Sequence, residues 1–217
     1  MLDHLQPDAT SLRFFGRPLP GVRIRIRDPQ TRDDLAVGAV GEVWVCSPTT
    51  MSGYLAEQDG DPVFARDGWL RTGDLGVLDP RGYLRLLGRA GDVIKCRGIK
   101  IFPASVEEAL GSHPDVIDAH VFGLRGGDAI EKVHAAVAVR PRAATPCTDL
   151  GRHVAQQLTP LHVPDVVTVW TSLPFTANGK PDRRRLAAWV ESESERILRV
   201  ERLSPADISL SDAEALT

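Results

Sequence analysis

The sequence predicts an α+β fold: a small antiparallel β-barrel-like subdomain followed by a compact α+β C-terminal domain. Two observations carry this expectation. Apolar and charged residues alternate with period two from Val22 to Arg27, and after Gly88 the chain changes from strand signals alone to strand and helix signals in turn. A third is size, since 217 residues with a 42% apolar fraction can build one packed domain or two small ones.

In the first block, Val22, Ile24 and Ile26 alternate with Arg23, Arg25 and Arg27, the pattern of a half-buried antiparallel strand. Strand-like runs recur at 41–46 and 82–87, with Ser-Pro, Asp-Gly, Thr-Gly-Asp and Pro-Arg-Gly turns between them. Residues 12–87 therefore read as the all-β subdomain, after an N-terminal extension over 1–11.

In the second block, Pro103 opens a helix whose apolar face is Val106, Ala109 and Leu110. Glu107 and Glu108 favour its positive end, and Gly111 with Pro114 stops it. Strands follow at 117–123 and 132–140. Leu150, Val154 and Leu158 mark a second helix behind a Thr148 cap, ended by Pro160. A strand over 165–170 comes next, then a helix opening at Pro181, where a missing N–H does no harm. Residues 92–190 read as the C-terminal domain. The acidic, Ser-rich 191–217 reads either as a short helix with a disordered end or as a docking segment.

Bulk chemistry narrows the function. Cys46, Cys96 and Cys147 lie far apart, as free thiols do, and the histidines lack ligand spacing, so no metal site is expected. No apolar run reaches membrane-spanning length and no secretory signal opens the chain, so a soluble cytoplasmic protein with no membrane partner is expected. The formal charge of −3 argues against nucleic acid. The basic run Arg183, Arg184, Arg185 reads as a solvated helix face.

Three short motifs carry chemistry. In Trp69-Leu70-Arg71-Thr72-Gly73-Asp74-Leu75, the tripeptide Thr-Gly-Asp reads as a turn, and a carboxylate held there can accept hydrogen bonds from two vicinal hydroxyls such as those of a ribose. Gly88-Arg89, with Gly91, Asp92, Lys95 and Gly98 after it, reads as a hinge or an ordinary linker. Arg89 is a forked donor fit for phosphate or ribose. In Pro174-Phe175-Thr176-Ala177-Asn178-Gly179-Lys180, an Asn-Gly turn sets Lys180 at a loop tip. A lysine there either neutralises a transferring phosphate or is simply solvated.

Taken in order, Gly16-Arg17-Pro18-Leu19-Pro20-Gly21, the run 38–55, Thr72-Gly73-Asp74-Leu75, the run 88–110 and 174–183 resemble the C-terminal part of the ANL superfamily. Its members include acyl- and aryl-CoA synthetases and the adenylation domains of nonribosomal peptide synthetases. The resemblance implies a β subdomain, a hinge at 88–91 and a mobile lid, in an ATP-dependent acid–thiol ligase. It implies Lys180 as the catalytic lysine of adenylation, Asp74 and Arg89 as nucleotide ligands, Gly91 and Asp92 at the hinge, and Lys95 and Gly98 on the face that meets the thiol. Gly91 departs from the Asp or Lys usual at its position. The family's Ser/Thr/Gly-rich phosphate loop does not occur in the sequence. ATP or AMP with Mg2+ is therefore expected to bind only together with an N-terminal partner, in cis or in trans, and the chain is not expected to be active alone. Coenzyme A or a phosphopantetheine arm on an acyl or peptidyl carrier protein is the expected acceptor. The alternative is a non-catalytic module derived from such a ligase and used for protein contact.

Overall fold

In the computed structural model, which describes residues 14–51, 68–125, 131–141, 145–192 and 197–203, the chain divides between Gly91 and Asp92 into two units. The first unit contains β1 (Phe14–Gly16), β2 (Arg23–Arg27), β3 (Gly41–Cys46), β4 (Leu70–Leu78) and β5 (Leu84–Arg89). They form one antiparallel sheet in the order β1-β5-β4-β3-β2. Among the described residues this sheet is open, with β1 and β2 as its edges, rather than barrel-like. Closure needs edge strands long enough to pair, and β1 has three residues, already used against β5. Ile24, Ile26, Val43, Val45, Leu78, Leu84 and Leu86 pack together as the unit's apolar core.

The Thr72-Gly73-Asp74 tripeptide is not a turn between strands. It lies within β4, where Glu42 pairs with Leu75 and Trp44 with Arg71, so three residues stand opposite Val43 alone. This is a bulge, held by a Thr72 hydroxyl donating to the Val43 carbonyl at 2.8 Å and by Gly73 at φ 72°.

A short 3-10 turn, Ala90–Asp92, spans the boundary. The second unit then contains β6 (Ile94–Cys96), β7 (Ile99–Ile101), α1 (Pro103–Gly111), β8 (Val116–Arg125), β9 (Glu131–Val139), α2 (Cys147–Gln157), β10 (Val166–Trp170), α3 (Arg183–Glu191) and β11 (Ile197–Arg202). The larger sheet runs β11-β10-β9-β8, with β9 and β10 parallel across the α2 crossover and the other pairs antiparallel. Val133, Ala135 and Val137 of β9 face a core shared with α1 and α2, while Ala136 and Ala138 face one shared with α3. Burial on both faces explains why β9 reads as a nearly continuous apolar run.

Four local expectations change. The helix expected at Pro181 begins at Arg183, because Pro181 bridges to Phe175 and the Asp182 side chain accepts from the Arg185 N–H at 3.0 Å as its N-cap. At α2 the N-cap is Pro146, with no side-chain cap, and Thr148 lies inside the first turn. Residues 197–202 form an edge strand, not a helix; Ile197, Val200 and Arg202 pair with Trp170, Thr168 and Val166. The β6–β7 hairpin has no counterpart in the sequence expectation, since its strands have only three residues each. The N-terminal extension 1–11 and the tail from 204 onward lie outside the described residues.

Candidate functional site

The bulge in β4 brings Asp74 directly opposite Arg89 of β5. Arg89 Nε lies 3.0 Å from Asp74 Oδ1, and its Nη1 donates to the Thr72 carbonyl at 2.7 Å. The Asp74 N–H donates to the Thr72 hydroxyl at 3.0 Å, so backbone and side chain are both tied to the bulge. A side chain at residue 73 would meet Arg89 Nη1 at 3.4 Å, and Gly73 already has a left-handed φ, so only glycine suits this position. The arginine side chain is 60% exposed and the carboxylate 28%, which leaves the pair open to a ligand and makes it worth little as a fold stabiliser. What it can do chemically is offer carboxylate acceptors beside a planar cation on a fixed piece of sheet.

Gly91 lies in the 3-10 turn at the unit boundary, and a side chain added there would meet nothing within 4 Å. Neither space nor handedness demands glycine at this point. Its neighbour Asp92 receives Arg183 Nη1 at 3.4 Å.

Lys180 stands on a closed loop within the second unit. The Thr176 N–H donates to the Lys180 carbonyl at 2.7 Å, the Gly179 N–H to the Thr176 carbonyl at 2.9 Å, and the Lys180 N–H to the Thr176 hydroxyl at 3.2 Å. Gly179, at φ 71°, takes the left-handed position that closes such a turn. The loop is exposed from Phe175 to Lys180, and α3 begins directly after it. The lysine is thus displayed on a rigid hairpin rather than a slack linker.

The sequence reading missed what Arg183 does. Instead of facing solvent, it places Nη2 at 2.7 Å from Glu107 Oε1 of α1 and donates from Nε to the Val121 carbonyl of β8 at 3.2 Å. It thereby fixes α3, and the loop before it, to the rest of the unit. The only signal was an arginine three residues after Lys180, and charge periodicity alone does not separate that from a surface residue.

Lys95 and Gly98 fall on the β6–β7 hairpin. Lys95 pairs with Lys100 across it, and both side chains are exposed. Arg97 and Gly98 form the turn, with φ of 52° and 75°. Beneath it, burial and the neighbouring Asp165 carboxylate raise the Cys96 thiol, and burial pushes Cys147 up to about 11, so neither is a ready nucleophile near neutral pH. Cys46, Cys96 and Cys147 are all free. Among the described residues, no group of three or more His, Cys, Asp or Glu side chains fits a metal ion, and no helix is long and apolar enough to cross a membrane.

Comparison with known proteins follows the same residues. The AMP-binding enzyme C-terminal domain family matches residues 105–180, and the AMP-binding enzyme family matches residues 2–55. A long-chain-fatty-acid–CoA ligase of Yersinia pestis is 34% identical over 172 residues, 79% of this chain and 30% of its own length. The fatty acid–[acyl-carrier-protein] ligase ScoC of Streptomyces coeruleorubidus is 34% identical over 83% of this chain and 34% of its own. Among solved structures, the amide bond synthetase McbA of Marinactinospora thermotolerans superposes with a TM-score of 0.75 at 42% identity, covering 82% of this chain and 36% of its own. The chain spans about a third of the length of the relatives it matches.

Proposed function

Because this chain belongs to the ANL superfamily of adenylate-forming enzymes, we propose that it supplies the C-terminal portion of an ATP-dependent acid ligase. The observation that carries the reading is the Asp74–Arg89 pair, set at 3.0 Å on adjacent strands by a bulge with no other evident purpose. Asp74 accepts hydrogen bonds from the ribose hydroxyls of ATP and then of the acyl-adenylate, while Arg89 holds that carboxylate in place and borders the same sugar. Lys180, displayed on its closed loop, neutralises the charge shared by the attacking carboxylate oxygen and the α-phosphate as pyrophosphate leaves.

The two half-reactions need different groups near one centre. A rotation about Gly91 and Asp92 withdraws Lys180 after adenylation and brings forward the face bearing Lys95 and Gly98. The acceptor then attacks the acyl carbon and AMP departs. Triphosphate and acyl group are held by an AMP-binding N-terminal portion, in cis or in trans. Magnesium travels with the phosphates.

The acceptor is a thiol, that of coenzyme A or of a phosphopantetheine arm on a carrier protein, in keeping with ligases of both kinds among the relatives. A second reading, in which an amine takes the acyl group, is favoured by the 42% identity to an amide bond synthetase. Reconstitution tests the proposal. The chain is combined with the AMP-binding portion, ATP, magnesium and a panel of carboxylic acids, and pyrophosphate release is followed. Acid-dependent release is expected. No release with any acid, from a pair shown to associate, overturns it. Adding coenzyme A or an amine to the adenylate then separates the two acceptors.

A further inference from the structure

The β6–β7 hairpin is more tightly held than its length requires. Arg97 sits in the left-handed region at φ 52°, unfavourable for any residue but glycine, and Gly98 follows at 75°. The Arg97 guanidinium donates from Nη1 to the Leu161 and Val163 carbonyls at 3.0 and 3.1 Å, and from Nη2 to the Asp165 carboxylate. The other Asp165 oxygen accepts from the Val133 N–H at 2.7 Å. Asp165 thus links the hairpin tip to the start of β9 and the residue before β10. On the outer side, Lys95 and Lys100 stand directly opposite each other, exposed, and neither forms an ion pair with another described residue. Like charges in that position push the two strands apart, and the Arg97 clamp opposes this.

We infer that Arg97 and Asp165 are positioning residues for the acceptor step, holding Lys95 and Gly98 in the arrangement that meets an acceptor bearing phosphate groups. The inference rests on the reading of this hairpin as the acceptor face. Arg97 touches no substrate; it acts through the turn. The paired ammonium groups suit an anionic acceptor arm rather than a neutral amine, and the Arg97 contacts to Leu161, Val163 and Asp165 keep them together.

The test separates the half-reactions in the assembled enzyme. Arg97→Lys keeps the charge and loses the fork, and Asp165→Asn keeps the shape and loses the counter-charge. For each, acid-dependent pyrophosphate release and coenzyme A-dependent consumption of the adenylate are measured beside thermal unfolding. Release is expected to be unchanged, while the acceptor step slows by about a hundredfold with a raised KM for coenzyme A, the effect of misplacing a reacting group by about an ångström. Equal slowing of both steps, or no slowing of either, in a folded Arg97→Lys protein overturns the inference alone. Failure of the unsubstituted protein to release pyrophosphate overturns the reading beneath it.

Discussion

In the first unit the sheet has one aliphatic face and one built from guanidinium and indole groups. Arg27 lies 4.5 Å over Trp44 with Arg71 at 5.7 Å, and Arg23, Arg25 and Arg27 lie 4.6 to 5.6 Å from the Trp69 ring. Glu42, only 2% exposed, accepts from Trp44 Nε1 and Arg71 Nε, both at 3.1 Å. The second unit has apolar cores on both faces of its sheet, a mainly aliphatic one shared with α1 and α2 and one shared with α3 that includes Phe122, Trp170 and Trp189. The difference teaches where each kind of chemistry is affordable. A thin sheet with one core needs flat cations stacked on aromatic rings to finish its other face, and the same polar setting tolerates the partly exposed Asp74–Arg89 pair. A two-sided core keeps its geometry while an exposed loop carries Lys180.

The largest effect expected on this contrast is in the aliphatic core. Leu110 is fully buried, and Leu110→Ala should destabilise the second unit by about 3 kcal/mol. Hydrogen exchange should show protection lost in its peptides and kept in those of the first unit. Loss in both would mean that the two units do not fold separately. Lys180→Ala comes next: pyrophosphate release should fall about a hundredfold, with the melting temperature unchanged because the side chain is exposed. A drop in stability instead would make Lys180 a structural residue.

Arg71→Ala probes the polar face of the first unit. It strips buried Glu42 of a partner, and since Arg71 is 20% exposed the loss should be about 2 kcal/mol, below that of a fully buried pair. Urea unfolding that leaves the first unit unaffected would show the arginine layer to be ornament. The smallest effect is that of pH. Burial lowers His134, His153 and His162, with His113 adding to the effect at His153, and the described part of the first unit contains no histidine. Each is neutral in the fold and takes up a proton more readily when unfolded. Their contribution is therefore complete above the ordinary value of 6.5 and is lost as pH falls from there through each lowered value. The second unit should weaken first on acidification, and equal weakening of both units would sink this assignment.

Much of the fold was legible because it follows local periodicity. The β2 alternation, the Val106, Ala109 and Leu110 stripe of α1, and the apolar run of β9 all appear as the elements that pattern predicts. Illegible elements were those that depend on a partner. The three-residue strands β6 and β7 exist through pairing with each other, and β11 through the open edge of β10, so their own residues hold too little signal. The candidate site was legible as motifs and not as geometry. Thr-Gly-Asp and Asn-Gly-Lys announced Asp74 and Lys180, but the first looked like a turn because a bulge uses the same glycine handedness inside a strand.

Sequence by itself determined the residue types, their order and the family, because turn chemistry, glycine handedness and side-chain donors are local properties. Tertiary structure alone decided that Asp74 faces Arg89, that Arg183 turns inward to Glu107 instead of outward to water, and that Arg97 is clamped to Asp165. Each of these joins residues 15 to 76 positions apart in the chain. Such partners are chosen by packing and register, which no window of sequence contains.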